Sequence, residues 1–433
     1  MSKINPENSL SVLLIATAAL VIFSPLCAVG LLEDEQELLH LAKTNFGISN
    51  ADFASAASAA AIRFSHSMFH LPDTLAVRLP GAIAVWLLSF GVFKFRGDNE
   101  KRKYAFLASL IFLSSYPISA IAYHAYSLII PAFFLIGALL LLFRLLENPS
   151  FSRNLLLFIL TGACAIFFLK IYAILLFAAS ILIFTKKEKR AATLPKCLIS
   201  LATAFLISFS AWAALTQSIG NASQILFESA WLTEPFADAS RLSATTIWLT
   251  LSFFPWSIPI IVALGWIVCH PQWVKNKFLA ADRFRKFGIF MLAIFILLCA
   301  NFNNISFILL IAAIFFNASA VSHFLLSQIH NHSVTWRISG GIFGVFIGTF
   351  ALLYIAAISG VSFSMFGYAM QPNPDWNVGT ILLLVAIATG LYSLSRNYRT
   401  IRFRDRYLYD IVILYLLSQI FYKIYINPYL ITP

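Results

Sequence analysis

Charged residues are scarce in this chain: only 11% of its 433 residues are Asp, Glu, Lys or Arg, whereas 60% are hydrophobic. A soluble domain carries about 25% charged residues, most of them on its surface. So little charge excludes an ordinary soluble protein and indicates a polytopic membrane protein. The net charge of +12 does not predict a nucleic-acid partner, because the basic residues are placed as a membrane orientation requires.

Cysteines are equally few, and they show no functional spacing. The five lie within or at the ends of apolar runs: Cys27, Cys164, Cys197, Cys269 and Cys299. No pair is spaced like a metal site or a small disulfide framework. The histidines likewise show no paired ligand spacing with a carboxylate. The sequence therefore predicts packing cysteines and no metal centre built from these residues.

Apolar runs of about 17 to 25 residues predict roughly thirteen transmembrane helices in an all-α, polytopic integral membrane protein. We expect one transmembrane domain over 1–433, with neither a cleavable signal nor a C-terminal soluble domain. Two long runs must be divided into short spans, at Lys170 and at Asn301–Asn304. The predicted spans are 10–31, 75–93, 104–122, 127–146, 154–169, 171–185, 196–216, 246–269, 287–301, 304–325, 338–361, 377–395 and 408–425.

Basic residues fix the orientation. With a cytoplasmic N-terminus, cytoplasmic segments hold 24 of the 30 Lys and Arg residues, as the positive-inside rule requires. The exceptions are Lys43, Arg63, Arg78, Lys170, Arg241 and Lys423. Residues 32–74 and 216–245 then form the first and second long extracytoplasmic loops. The alanine-rich stretch Asn50–His70 suits an interfacial helix within the first loop.

Four carboxylates follow the first span directly, in Glu33-Asp34-Glu35-Gln36-Glu37. A charge at the hydrocarbon centre costs at least ~2.5 kcal/mol, so these acids belong at the interface. One interpretation is a solvated first helical turn, in which acids favour the helix dipole. The other is a functional site. Arg78 has two interpretations as well, because an arginine at the start of a span can extend along it to the headgroups.

Four landmarks of this sequence resemble the GT-C type of lipid-dependent glycosyltransferases, especially protein O-mannosyltransferases and lipid A aminoarabinose transferases. Asp34-Glu35 stands where that family has an Asp-Glu pair after its first span. Ala76–Ala82, reading Ala-Val-Arg-Leu-Pro-Gly-Ala, is similar to the entry into its second span. Phe168-Leu169-Lys170 resembles a lysine turn between short spans, and Phe254-Pro255-Trp256-Ser257 resembles a Pro-Trp span start.

The resemblance implies an inverting transfer of sugar from a polyprenyl-phosphate donor to a lipid, glycan or protein acceptor. It implies a bacterial inner-membrane protein among membrane lipids, active on the periplasmic face. Asp34 would be the general base, and Glu35 would orient the acceptor or help to hold a hard divalent cation such as Mg²⁺ or Mn²⁺. Arg78, Lys170 and Arg241 would bind the lipid phosphate.

Two other functions stay open on the sequence. Ser127 stands where the family usually has a second acid, and no Lys or Arg occurs between Lys286 and Arg337, where the family has a lysine. These differences favour a catalytically inactive membrane partner that still binds a lipid-linked sugar. A transporter or flippase is the other alternative, although the span interiors contain few of the ionisable groups that coupled transport uses.

The predicted topology places Glu188 and Phe236 on opposite sides of the membrane. Cysteines introduced at these two positions should react with a membrane-impermeant thiol reagent from opposite sides. Labelling of both from one side would show that the predicted topology is wrong.

Overall fold

The computed structural model describes about half of the chain, and in this part the protein is almost entirely helical. The described residues are 31, 33–44, 53–95, 102–115, 118, 128–147, 152–185, 190–216, 283–298, 308–318, 321–322, 363–365 and 368–370. Their helices are α1 Glu33–Lys43, α2 Phe53–Phe69, α3 Asp73–Phe95, α4 Arg102–Ser114, α5 Ile129–Glu147, α6 Ser152–Leu169, α7 Ile171–Phe184, α8 Arg190–Thr216, α9 Arg283–Leu298 and α10 Ile308–Ala318. This architecture is that of an integral membrane protein.

The predicted spans match these helices wherever the two can be compared. Within the described residues, three helices are long and apolar enough to cross a bilayer, over Asp73–Phe93, Ile129–Leu146 and Thr193–Leu215. The helix α8 begins six residues before its predicted limit, at Arg190. Spans 246–269, 338–361, 377–395 and 408–425 lie outside the described residues, as do nearly all of 10–31 and the loop 216–245.

Helices α1 and α2 pack together against the first turns of α3. The helices α1, α2 and α3 share a small apolar cluster made of Leu38, Leu39, Ala42, Ala59, Ile62, Ala76 and Val77. The alanines of α2 bring its backbone close to α1 and α3, which larger side chains would prevent. The predicted helix in the first loop is therefore present, and it packs on the entry to α3.

Helices α6 and α7 form the hairpin predicted at Lys170. The rings of Phe158 and Phe177 lie 5.7 Å apart, whereas nineteen residues of continuous helix would separate them by about 28 Å. Lys170 makes the turn with a positive φ of 56°. The interruption of the apolar run by one lysine therefore predicted a real reversal of the chain.

Helix α8 runs parallel to α6. The Ser208 hydroxyl donates to the Ala163 carbonyl oxygen at 2.6 Å, and Phe167 stacks on Trp212 with ring centroids 6.0 Å apart. Both contacts advance by four residues in each helix, so the two helices have the same direction. Helix α7 makes the intervening pass in the opposite direction.

Ring contacts also show which helix ends lie together. Phe143 near the end of α5 and Phe184 at the end of α7 both contact Phe287 in the first turns of α9, at 6.0 and 5.1 Å. Phe134 near the start of α5 contacts Phe168 at the end of α6, at 6.1 Å. Lys170 therefore lies at the end of the bundle where α5 begins, away from the start of α9.

In the described part of the chain, one short β-hairpin departs from the all-α prediction. Strands β1 Phe363–Met365 and β2 Tyr368–Met370 pair antiparallel, with Ser364 opposite Ala369. They fall in the stretch 361–376, which the sequence predicts as a loop between spans. Two strands of three residues are too short for the period-2 pattern by which a strand is recognised.

Helices α9 and α10 meet closely at Gly288. A Cβ atom at this position would lie 2.9 Å from the carbonyl oxygen of Phe316. The Asn317 amide donates to the carbonyl oxygens of Gly288 at 2.7 Å and Ala313 at 2.8 Å. The buried amide of Asn317 thus joins α9 to α10. The two backbones can come this close because position 288 is a glycine.

Gly288→Ala should destabilise the protein by about 1–3 kcal/mol, because the new methyl group meets backbone that cannot move without separating α9 from α10. Thermal unfolding in detergent measures the effect. Gly91→Ala is the matched control, since nothing lies within 4 Å of a Cβ there and alanine favours a helix. Equal midpoints for the two variants would refute the close contact.

Candidate functional site

A buried ion pair joins the acidic stretch to the first described span. Arg78 donates from Nε to Glu35 Oε1 at 2.8 Å and from Nη2 to Glu35 Oε2 at 2.7 Å. The Arg78 side chain is 4% exposed and that of Glu35 is 1% exposed. The pair is therefore bidentate and almost wholly removed from solvent, the geometry in which a guanidinium binds a carboxylate most strongly.

The pair answers two questions that the sequence left open. Arg78 does not extend to the headgroups, because its guanidinium is buried against α1. Glu35 is not part of a solvated turn, although Gln36 and Glu37 beside it are exposed. Removing one partner of such a pair leaves an uncompensated buried charge, which costs about 3–5 kcal/mol. The interpretations as a solvated turn and as an extended arginine are thus wrong for these two residues.

A second ion pair attaches the other end of α1 to α3. Lys43 Nζ lies 2.8 Å from Asp73 Oδ2, and His66 Nε2 of α2 lies 3.3 Å from Asp73 Oδ1. These three side chains are about half exposed, so each contact contributes little, roughly 0–1 kcal/mol. One carboxylate in the first turn of α3 nevertheless contacts the ends of both preceding helices.

The two ion pairs define how α1 lies on α3. Glu35 pairs with Arg78 and Lys43 pairs with Asp73. Residue numbers therefore increase along α1 in the direction in which they decrease along α3. Between the pairs, Leu38, Leu39 and Ala42 share their cluster with Ala76 and Val77. Helix α1 therefore runs antiparallel to the start of α3, with its acidic first turn at the buried pair.

Asp34 belongs to this first turn. It lies in α1 directly before Glu35, in the turn that carries the buried pair. Its side chain lies outside the described part of the structure, and so does the whole of Arg241. Their predicted roles stay predictions.

Lys170 has a backbone conformation that needs explanation. Its φ of 56° and ψ of −135° match the first central position of a type II′ turn, where glycine is strongly preferred. A residue with a Cβ in such a region costs of order 1–3 kcal/mol, and such costs are typical of functional sites. The side chain is half-buried.

A metal site is not visible in the described portion of the chain. No group of three or more His, Cys, Asp or Glu side chains there is placed to hold a metal ion. Both carboxylate oxygens of Glu35 already accept hydrogen bonds from Arg78. A divalent cation bound to Glu35 would therefore have to share these oxygens with the guanidinium.

The sequence did not predict the contacts among these residues. The sequence resemblance implies separate roles for Glu35 and Arg78 and no role for Lys43, His66 or Asp73. Thirty residues separate Lys43 from Asp73 and forty-three separate Glu35 from Arg78, so no local spacing signals either pair. The available signal was the cost of Arg78 in an apolar helix, which requires a counter-charge.

No protein-family model and no curated protein matches this chain. Two solved structures do: those of ArnT from Cupriavidus metallidurans, bound to undecaprenyl phosphate and in the apo state. Each is 14% identical to this chain; the TM-scores are 0.62 and 0.60, with 95% and 96% of this chain and 76% of ArnT covered. The resemblance seen in the sequence is thus confirmed for the fold: the chain has the fold of ArnT, a GT-C type lipid A aminoarabinose transferase.

Proposed function

We propose that this protein is a GT-C type glycosyltransferase that moves a sugar from a polyprenyl-phosphate donor to an acceptor at the periplasmic face of a bacterial inner membrane. The observation that carries the proposal is the fold, because the ArnT structure with that fold is bound to undecaprenyl phosphate. The buried Glu35–Arg78 pair adds support. It holds the family's Asp-Glu position against the Arg-Leu-Pro motif.

The chemistry is a single displacement. The acceptor oxygen or nitrogen attacks the anomeric carbon, and the bond from that carbon to the phosphate oxygen breaks. Polyprenyl phosphate leaves with the electron pair, and the configuration at the anomeric carbon inverts. Asp34 takes the proton of the acceptor, and a cation close to the departing phosphate stabilises its developing charge.

Lys170 is the cation that we assign to the phosphate first. Helix α7 has 14 residues and rises about 21 Å, which is less than the ~30 Å hydrocarbon core. One of its ends therefore lies below the membrane surface. From a turn at that depth the lysine side chain can extend to the interface, where a lipid phosphate lies. In the predicted order of passes this turn is on the side where α3 begins.

The resemblance assigns the phosphate to Arg78 as well, but the geometry of its side chain favours another role. Two of its five N–H donors serve Glu35, and its side chain is nearly inaccessible. Arg241 and the divalent cation remain parts of the proposal that rest on the sequence resemblance. The proposed acceptor is a lipid, glycan or protein presented at the same face.

Asp34→Asn should lower the rate of sugar transfer about 10²- to 10⁴-fold, because the amide keeps the shape of the side chain and cannot accept the proton. Donor retention should persist. The assay is transfer in membranes that contain each variant. Glu37→Gln is the matched control, because Glu37 is an exposed acid of the same helix. Full activity of Asp34→Asn would show that Asp34 is not the general base.

Lys170→Gly should weaken retention of the polyprenyl-phosphate sugar while it maintains or raises stability, since glycine adopts the positive φ without strain. Lys170→Ala should weaken retention equally and leave the strained turn. Donor binding and thermal unfolding are measured on both. Unchanged donor binding in both variants would show that the lysine has no phosphate role.

A further inference from the structure

We propose that Glu35 and Arg78 act together as positioning residues that fix the first turn of α1, and with it the backbone of Asp34. In this view Glu35 neither orients the acceptor nor holds a cation, and Arg78 is not a phosphate ligand. The inference rests on the proposed function for its catalytic consequence. Its structural part stands on the geometry of the pair alone.

The bidentate contact restrains more than a distance. Two parallel N–H···O bonds of 2.8 and 2.7 Å keep the carboxylate in the plane of the guanidinium. Glu35 therefore cannot rotate about a single bond while it stays paired. A single bond, such as that from Lys43 to Asp73, leaves this rotation possible.

The two ion pairs of α1 differ in burial, and this difference indicates which of them restrains the helix more. The Glu35–Arg78 pair is 1% and 4% exposed, whereas the Lys43–Asp73 pair is 52% and 42% exposed. Water readily replaces the partners of the exposed pair, and screening weakens it. The buried pair is shielded from water, so separation would leave two charges removed from solvent. The acidic end of α1 is consequently the fixed end.

The restraint on Glu35 also limits the movement of the Asp34 backbone. Asp34 and Glu35 belong to the first turn of one helix, so their Cα positions are tied by covalent geometry and helical hydrogen bonding. A base must lie within hydrogen-bond reach of the proton that it removes. A displacement of about 1 Å can lower a rate by about 10²-fold.

The test is a double-mutant cycle of Glu35→Met, Arg78→Met and the double variant, in the full-length protein in detergent. Three quantities are measured: kcat, the KM for the donor, and hydrogen–deuterium exchange of residues 33–43. Each single variant should lower kcat about 10²-fold with little change in KM, and should speed exchange in α1. The double variant should exceed both singles in kcat and in protection, because two apolar side chains leave no buried charge.

Lys43→Gln is the matched control, since it removes the exposed attachment of the same helix to α3. It should leave kcat and the exchange of the first turn unchanged. A raised donor KM in Arg78→Met that persists in the double variant would overturn the proposal in favour of a phosphate ligand. A double variant with restored protection and the low kcat of Glu35→Met would overturn it in favour of acceptor contact by Glu35.

Failure of the proposed function gives a different result. If the wild-type protein transfers no sugar from a polyprenyl-phosphate donor, the glycosyltransferase proposal fails, and exchange alone then decides the positioning proposal. Unchanged exchange of residues 33–43 in both single variants would overturn it. Faster exchange in both, with protection regained in the double variant, would support it.

Discussion

The bidentate bond between Arg78 and Glu35 determines how the start of this fold is built. A guanidinium in the second turn of an apolar helix is expensive unless a counter-charge accompanies it. The counter-charge comes from a short helix outside the predicted spans, so α1 must lie against α3. Once it does, Leu38, Leu39 and Ala42 find apolar partners in α2 and α3. The buried ion pair and this apolar cluster thus together join α1, α2 and α3.

The same pair links the fold to the chemistry that we propose. Glycosyl transfer from a lipid phosphate needs a base and a cation at a boundary where water, lipid and acceptor meet. A boundary offers few rigid supports, because headgroups and short loops move. In this protein a buried contact supplies the rigidity, and the transmembrane helix α3 serves as the frame. Lys170 is held comparably, since the backbones of α6 and α7 confine the turn that carries it.

The sequence predicted those parts of the structure that depend on one segment at a time. Apolar length located α3, α5 and α8, and the single lysine at position 170 located the hairpin, because each follows from the cost of polar groups in lipid. Alanine content located α2. Contacts between segments could not be predicted from local sequence patterns. The partner of Glu35 lies 43 residues away in the sequence and that of Ser208 lies 45 residues away. The positive φ of Lys170 was equally hidden, because lysine carries no turn signal of the kind that glycine or asparagine gives. For the candidate site, the sequence therefore predicted the residue types and their approximate depth in the membrane. The contacts between their side chains were known only from the structure.

The parallel arrangement of α6 and α8 has a consequence for biosynthesis. Ala163 leaves the ribosome 45 residues before Ser208, so α6 enters the membrane while its later partner is still being made. Ser208 can arrive with its hydroxyl already satisfied, since it also donates to the Ala204 carbonyl oxygen of its own helix at 3.0 Å. A helix whose polar side chains bond to its own backbone can insert without exposing an unsatisfied hydrogen-bond donor to lipid. The carbonyl oxygen of Ala163 is a second acceptor within reach of the same hydroxyl, so one serine can satisfy its donor within α8 during insertion and pair α8 with α6 afterwards.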